Sequence, residues 1–114
     1  MDAYRRLSGD ANPLHTEDAF ARRAGFDGPV VFGGLIVAKI SWLLGMHLPG
    51  AGGLWTGLKV NFHKPLYAGE SATITGEVTH RSESTGMLTL KLVIEAGDRC
   101  IATATAESLM IDRD

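Results

Sequence analysis

The second half of the chain alternates between apolar and polar residues with a period of two. Four segments show this alternation, beginning with Leu54–Phe62 and ending with Arg99–Ile111, which is rich in alanine and threonine. A two-residue period indicates strands that bury one face. Because short turns separate the segments, we expect four consecutive strands arranged as an antiparallel meander.

Residues 34–47 have a different pattern, because they are apolar on nearly every side of a predicted helix. A helix without a polar face must be covered by other elements. The simplest packing wraps the apolar face of the sheet around this helix, which is an α+β arrangement. One curved sheet leaves part of the helix uncovered, and a large exposed apolar patch usually marks an interface. We therefore expect a homodimer.

Two shorter helices are predicted before residue 25. The first begins at the cap residue Asp2 and ends at Gly9, and the second begins at the cap residue Thr16 and ends at Gly25. Between them lies the dipeptide Asn12–Pro13. The residue before a proline avoids helical geometry, so the segment between the two helices is expected to be extended.

Length and composition narrow the class of protein. The 114 residues suggest one domain, residues 1–114, and 45% hydrophobic with 21% charged residues is an ordinary globular mixture. The net charge of −2 and the absence of a basic stripe argue against nucleic acid as a partner. The most apolar run, Leu35–Leu48, is too short to span about 30 Å of hydrocarbon. The single cysteine, Cys100, fits a reducing compartment, so we expect a cytoplasmic protein without a membrane span.

Candidate chemistry is concentrated in the segment DANPLH. Asp10 and His15 are separated by a turn around Pro13, so their side chains could converge, and a carboxylate beside an imidazole can move protons near neutral pH. The alternative is turn chemistry, in which Asp10 and Asn12 bind their own backbone. Both interpretations remain open from spacing alone. The four histidines lack zinc-site spacing and no glycine-rich phosphate loop follows a strand, so no metal or other cofactor is expected.

The string SGDANPLH, at Ser8–His15, is followed by Gly33 eighteen positions after the histidine, and then by LPGAGG and VNFHKPLYAGE. Together these segments, within Tyr4–Glu70, resemble the MaoC-like dehydratase family, which includes the R-specific enoyl-CoA hydratases. The resemblance implies a single-hotdog subunit, in which an antiparallel sheet wraps around a long central helix. It also implies a dimer with active sites at the subunit interface.

The resemblance further implies an activity, the reversible addition of water to a trans-2-enoyl thioester of CoA or acyl-carrier protein. Asp10 and His15 would be the catalytic pair that moves protons, and Asn12 would orient the pair or the substrate. Gly33 and Gly34 would bind the thioester, with the Gly33 N–H facing its oxygen. Because Gly33 opens an apolar helix, its free N–H group and the helix dipole favour developing negative charge.

The chain also departs from the family pattern. Phe32 stands where the family usually has histidine before the glycine, and Gly53 stands where many members have serine. The family also tends to carry an extra strand before the region matching DAYRRLSGD. Two alternatives stay open: a hotdog thioesterase, which the lack of Asp and Glu in residues 34–48 disfavours, and a non-catalytic acyl-binding hotdog subunit. For the CoA phosphates, Lys59 and Lys64 are the candidate surface cations.

Overall fold

The computed structural model describes residues 1–111, so the last three residues of the predicted domain, residues 112–114, lie outside it. Within this range the helices are Asp2–Ser8 (α1), Pro13–Thr16 (α2), Asp18–Arg23 (α3) and Gly33–Met46 (α4). The strands are Gly53–Phe62 (β1), Thr73–Arg81 (β2), Met87–Ala96 (β3) and Arg99–Met110 (β4). No helix in residues 1–111 is both long and apolar enough to cross a membrane.

The amino-terminal region contains one more short helix than the sequence predicted. Gly9 ends α1 with a φ of 77°, as predicted, but Asp2 lies in the first turn and not at the cap. The supposedly extended interval contains α2, because Asn12 is itself the cap: its side chain accepts a hydrogen bond from Leu14 N–H, and Pro13 takes the first helical position. The cap of the next helix, α3, is Glu17 and not Thr16.

The four strands form one antiparallel sheet with the order β1-β4-β3-β2. Strands β2, β3 and β4 follow one another as predicted, but β1 pairs with β4. The predicted four-strand meander is therefore wrong at β1. Residues 63–72 between β1 and β2 do not form a tight hairpin turn, and β1 instead occupies the free edge of β4.

The core lies between the sheet and one side of α4. Ile36, Ile40 and Leu44 recur every four residues along the helix and are buried against alternate residues of β3 and β4. This spacing places one row of side chains on the sheet. The opposite side of α4 stays exposed in the single chain, with Trp42 47% and Met46 67% accessible. The helix is therefore covered on one side only, as expected for a single curved sheet.

Candidate functional site

The loop after α1 is held by a relay of side-chain to backbone hydrogen bonds. The Ser8 hydroxyl accepts from Asp10 N–H at 3.1 Å, Asp10 Oδ1 accepts from Asn12 N–H at 3.0 Å, and Asn12 Oδ1 accepts from Leu14 N–H at 3.0 Å. Each bond spans two residues, which is the geometry of Ser and Asx turns. This series of bonds explains why serine, aspartate and asparagine occupy every second position here. It also fixes the backbone that leads into α2, which carries His15.

His15 is held by a backbone carbonyl and by an aromatic ring. Its Nδ1 lies 2.6 Å from the carbonyl oxygen of Val30, and its ring stacks on Phe32 with centroids 4.4 Å apart and planes inclined by 28°. Because a carbonyl can only accept, Nδ1 carries the hydrogen. In the neutral imidazole Nε2 is then a free acceptor, the form that a general base requires.

The amino terminus of α4 presents unpaired amide groups. Phe32 is the cap residue and its side chain makes no capping hydrogen bond. Within residues 1–111, the N–H groups of Gly33 and Gly34 have no hydrogen-bond acceptor, whereas Leu35 N–H bonds back to the Phe32 carbonyl. Unpaired amides at the positive end of a 14-residue helix can stabilise developing negative charge.

A cavity of about 350 Å³ brings two of the predicted site residues together. Its lining includes His15 and Gly33, and the remaining wall is formed mainly by residues from the segment before α4 and by Phe62 and the residues that follow it. Asp10, Asn12 and Gly34 do not line this cavity in the single chain. The first two are exposed on the loop between α1 and α2.

Packing against Tyr4 explains why residue 34 is a glycine. A Cβ atom there would lie 1.7 Å from the Tyr4 hydroxyl oxygen, so the Tyr4 side chain occupies the space that a side chain at residue 34 would need. The Tyr4 ring in turn contacts Phe32, with centroids 4.7 Å apart. Helix α1 is thus seated on the first turn of α4 through Tyr4.

Two further polar residues line the same cavity. They are His63, which is not among the site residues predicted from the sequence, and Lys64, which is predicted only as a candidate cation for the CoA phosphates. Both follow the last residue of β1, and His63 Nε2 lies 2.7 Å from the Thr103 hydroxyl oxygen on the neighbouring strand β4. The signal in the sequence was the end of the period-two pattern at Phe62. Lys59 instead lies mid-strand, beside Lys91 in a separate surface depression.

An ion pair fixes the chain that directly follows residues 64–66, and its arginine, Arg99, also donates to the Pro65 carbonyl at 3.4 Å. Glu70 Oε1 accepts from the Arg99 guanidinium at 2.6 Å and from Tyr67 N–H at 2.9 Å. The hydrogen bond from Arg99 and then that from Tyr67 lower the pKa of Glu70, and the same pair raises the pKa of Arg99. Leu66 is also fixed directly to the segment before α4, because its carbonyl accepts from Val31 N–H at 2.7 Å.

Gly53, the second departure from the family pattern, begins β1 and does not line the cavity. A Cβ there would lie 2.3 Å from Cγ of Pro49, so a serine could not replace it without a shift of that ring. Among residues 1–111, no cluster of three or more His, Cys, Asp or Glu side chains could hold a metal ion.

Comparison with known proteins identifies related sequences. The family model described as "MaoC like domain" matches residues 1–97. The (R)-specific enoyl-CoA hydratase of Aeromonas caviae is 40% identical over 88 residues, which cover 77% of this chain and 66% of that protein. The mitochondrial 3-hydroxyacyl-[acyl-carrier-protein] dehydratase of Arabidopsis thaliana is 35% identical over 70 residues, which cover 61% of this chain and 41% of that protein. The chain thus spans two thirds or less of these relatives.

Solved structures show the same fold. The structure described as the (R)-hydratase from A. caviae involved in PHA biosynthesis superposes with a TM-score of 0.90 at 35% identity, covering 96% of this chain and 83% of that one. An R-hydratase from Pseudomonas aeruginosa gives a TM-score of 0.89 at 23% identity, covering 98% and 72%, and this likeness shows the fold alone. The predicted α+β hotdog fold is confirmed. Since the family model also matches most of the chain, this protein belongs to the MaoC-like domain family.

Proposed function

We propose that this chain is a hydro-lyase that reversibly hydrates trans-2-enoyl thioesters of CoA or acyl-carrier protein to R-3-hydroxyacyl thioesters. The observation that supports the proposal is the cavity lined by both His15 and Gly33, an imidazole whose Nδ1 is held by a backbone carbonyl and a residue whose helix N–H has no acceptor within residues 1–111. The names of the relatives, a hydratase and a dehydratase, describe the two directions of this reaction.

In the proposed hydration, His15 Nε2 accepts a proton from water as the water oxygen bonds to C3 of the enoyl group. The electron pair of the double bond moves toward the thioester oxygen, which the Gly33 N–H stabilises as an enolate. The imidazolium then returns the proton to C2, so one water is consumed and the imidazole is regenerated. Asp10 holds the attacking water through its carboxylate, and Asn12 fixes the loop that carries both residues.

The protein is proposed to act as a homodimer. Asp10, which is proposed to hold the water, is exposed in the single chain. The proposed oxyanion site at Gly33 stabilises charge best where water is excluded, so both features favour a second subunit that covers the site. The exposed apolar residues available for a subunit contact include Trp42 and Met46 on α4 and Leu54 on β1, all 47–67% accessible. Light scattering coupled to gel filtration should report twice the 12.2 kDa chain mass. The cytoplasmic location expected from the single cysteine is tested by cell fractionation.

The decisive experiment follows the loss of enoyl-thioester ultraviolet absorbance with crotonyl-CoA, longer enoyl-CoAs and the matching acyl-carrier-protein thioesters. His15→Gln and Asp10→Asn should each lower kcat by roughly 10²–10⁴-fold, the usual contribution of general acid–base groups. His80→Gln and Asp98→Asn remove the same groups at exposed positions outside the cavity and should leave activity unchanged. Full activity in His15→Gln would remove the imidazole from the mechanism.

Two other results would indicate a different function. Release of free thiol from a saturated acyl-CoA, detected with a thiol reagent, would indicate a thioesterase. Binding of an enoyl-CoA without any change in its absorbance would indicate a non-catalytic acyl-binding subunit. Comparison of the CoA and carrier-protein substrates by kcat/KM then identifies the carrier, and comparison of acyl lengths identifies the preferred chain.

A further inference from the structure

Phe32 is buried behind the proposed site and not in it. Its side chain is 1% accessible and does not line the cavity that contains His15 and Gly33. It nevertheless touches the His15 ring, with centroids 4.4 Å apart, and the Tyr4 ring, with centroids 4.7 Å apart. A side chain in this position can influence a reaction only through the groups that it contacts.

The backbone around Phe32 joins the two proposed catalytic features. Two residues before it, the Val30 carbonyl accepts the hydrogen bond from His15 Nδ1, and the next residue after it is Gly33 with its unpaired N–H. Between them, Val31 N–H is bonded to the Leu66 carbonyl at 2.7 Å, which anchors the segment to the opposite wall. One short, anchored stretch of chain therefore contacts the imidazole and carries the amide donor.

We infer that Phe32 is a positioning residue, whose ring sets the plane of the His15 imidazole and so fixes Nε2 relative to the Gly33 amide. The inference rests on the proposed function for its kinetic consequence. A single hydrogen bond at Nδ1 allows the imidazole to rock about that bond. A stacked ring beneath it restricts this motion, and because Phe32 is buried, its own packing restricts the motion of the supporting ring.

The kinetic test uses two substitutions that separate ring support from stability. Phe32→Leu keeps an apolar side chain but removes the ring, and it should lower kcat about tenfold with KM within about twofold, because misplaced catalytic groups slow the chemical step. Phe32→Tyr keeps the ring but buries a hydroxyl, so it should be less stable and yet recover most of kcat. Leu90→Val, in the sheet core away from the cavity, is the control for general loss of packing.

A structural readout keeps the inference testable if the chain shows no hydratase activity. Long-range ¹H–¹⁵N NMR of the histidine ring should find His15 in one tautomer, protonated at Nδ1, in the wild type, in Phe32→Tyr and in Leu90→Val. In Phe32→Leu the two ring nitrogens should shift toward each other, as the Val30 bond breaks part of the time. An unchanged spectrum in Phe32→Leu, or a kcat that follows the melting temperature across all three variants, would overturn the positioning role.

Discussion

The substitution Gly33→Ala tests whether the first turn of α4 has a catalytic role that is distinct from its role in stability. Glycine at this position has no left-handed φ, so alanine is sterically allowed by the backbone. The added Cβ would lie 3.2 Å from Phe62 Cζ and 3.6–3.7 Å from the adjacent ring carbons. Phe62 is 51% accessible and can yield by the few tenths of an ångström that the closest contact requires. The methyl group would nevertheless project into the cavity beside His15.

The expected magnitudes differ sharply between stability and activity. Alanine is favoured over glycine by roughly 0.5–1 kcal/mol in a helix interior and by less at this first helical position, which offsets part of the small cost of moving Phe62, so the free energy of unfolding should change by less than about 1 kcal/mol. The methyl group, however, competes with the thioester for the space at the Gly33 amide. A displacement of the reacting group by about 1 Å can cost up to 10²-fold, so kcat/KM should fall by about 10- to 100-fold.

Gly45→Ala is the matched control, because it makes the same change at the other end of α4. Within residues 1–111 of the single chain its added Cβ would have no neighbour within 4 Å, and Gly45 is exposed and does not line the cavity. The control should be as stable as the wild type or slightly more stable, with unchanged hydration of crotonyl-CoA. Wild-type activity in Gly33→Ala would show that no substrate atom approaches this amide. An equal loss in Gly45→Ala would assign the effect to the helix as a whole.

Two further predictions concern the supports of the site. Gly76→Ala should destabilise the fold by about 1–3 kcal/mol, because the new Cβ would lie 2.7 Å from Leu92 Cδ2, and thermal unfolding of Gly76→Ala with and without Leu92→Val should show partial rescue. Because Leu92→Val removes buried volume and destabilises the fold by itself, the contact would be contradicted if Leu92→Val lowered the melting temperature of Gly76→Ala by as much as it lowers that of the wild type. Because Arg99 lowers the pKa of Glu70, the carboxylate contributes stability above its unfolded pKa of about 4.3 and loses it as the pH falls through the lower folded value. The stability difference between wild type and Glu70→Gln, measured by urea unfolding, should therefore shrink below about pH 4.3, and a constant difference would refute the ion pair's role.

The features that could be predicted from the sequence are those set by residues close together in the chain. The stop of α1 at Gly9 and the turn chemistry of Asp10 and Asn12 depend on bonds that span two to four residues. Likewise, the two-residue period located β1–β4 because it depends on burial of one face. The same period does not specify which strand lies next to which, so the pairing of β1 with β4 could not be derived from it.

The parts that could not be predicted depend on contacts between distant residues. Nothing near His15 in the sequence indicates that the Val30 carbonyl fixes its tautomer or that Phe32 supports its ring. The same holds for Gly34, whose lack of a side chain leaves room for the Tyr4 hydroxyl thirty positions upstream. Such contacts exist only after α1 and α2 have been placed against α4.

The structure also changes how the two interpretations of DANPLH relate to each other. Turn chemistry and catalysis were alternatives in the sequence, but they use different atoms of Asp10. Oδ1 accepts the Asn12 N–H and fixes the carboxylate, whereas no hydrogen bond or ion pair within residues 1–111 engages Oδ2. The His15 ring is divided in the same way, with Nδ1 bound to the backbone and no hydrogen bond to Nε2 from any of residues 1–111. Each residue uses one polar atom to fix its own orientation. The turn would therefore hold the other polar atom, Oδ2 of Asp10 and Nε2 of His15, at a fixed place where it could contact a substrate.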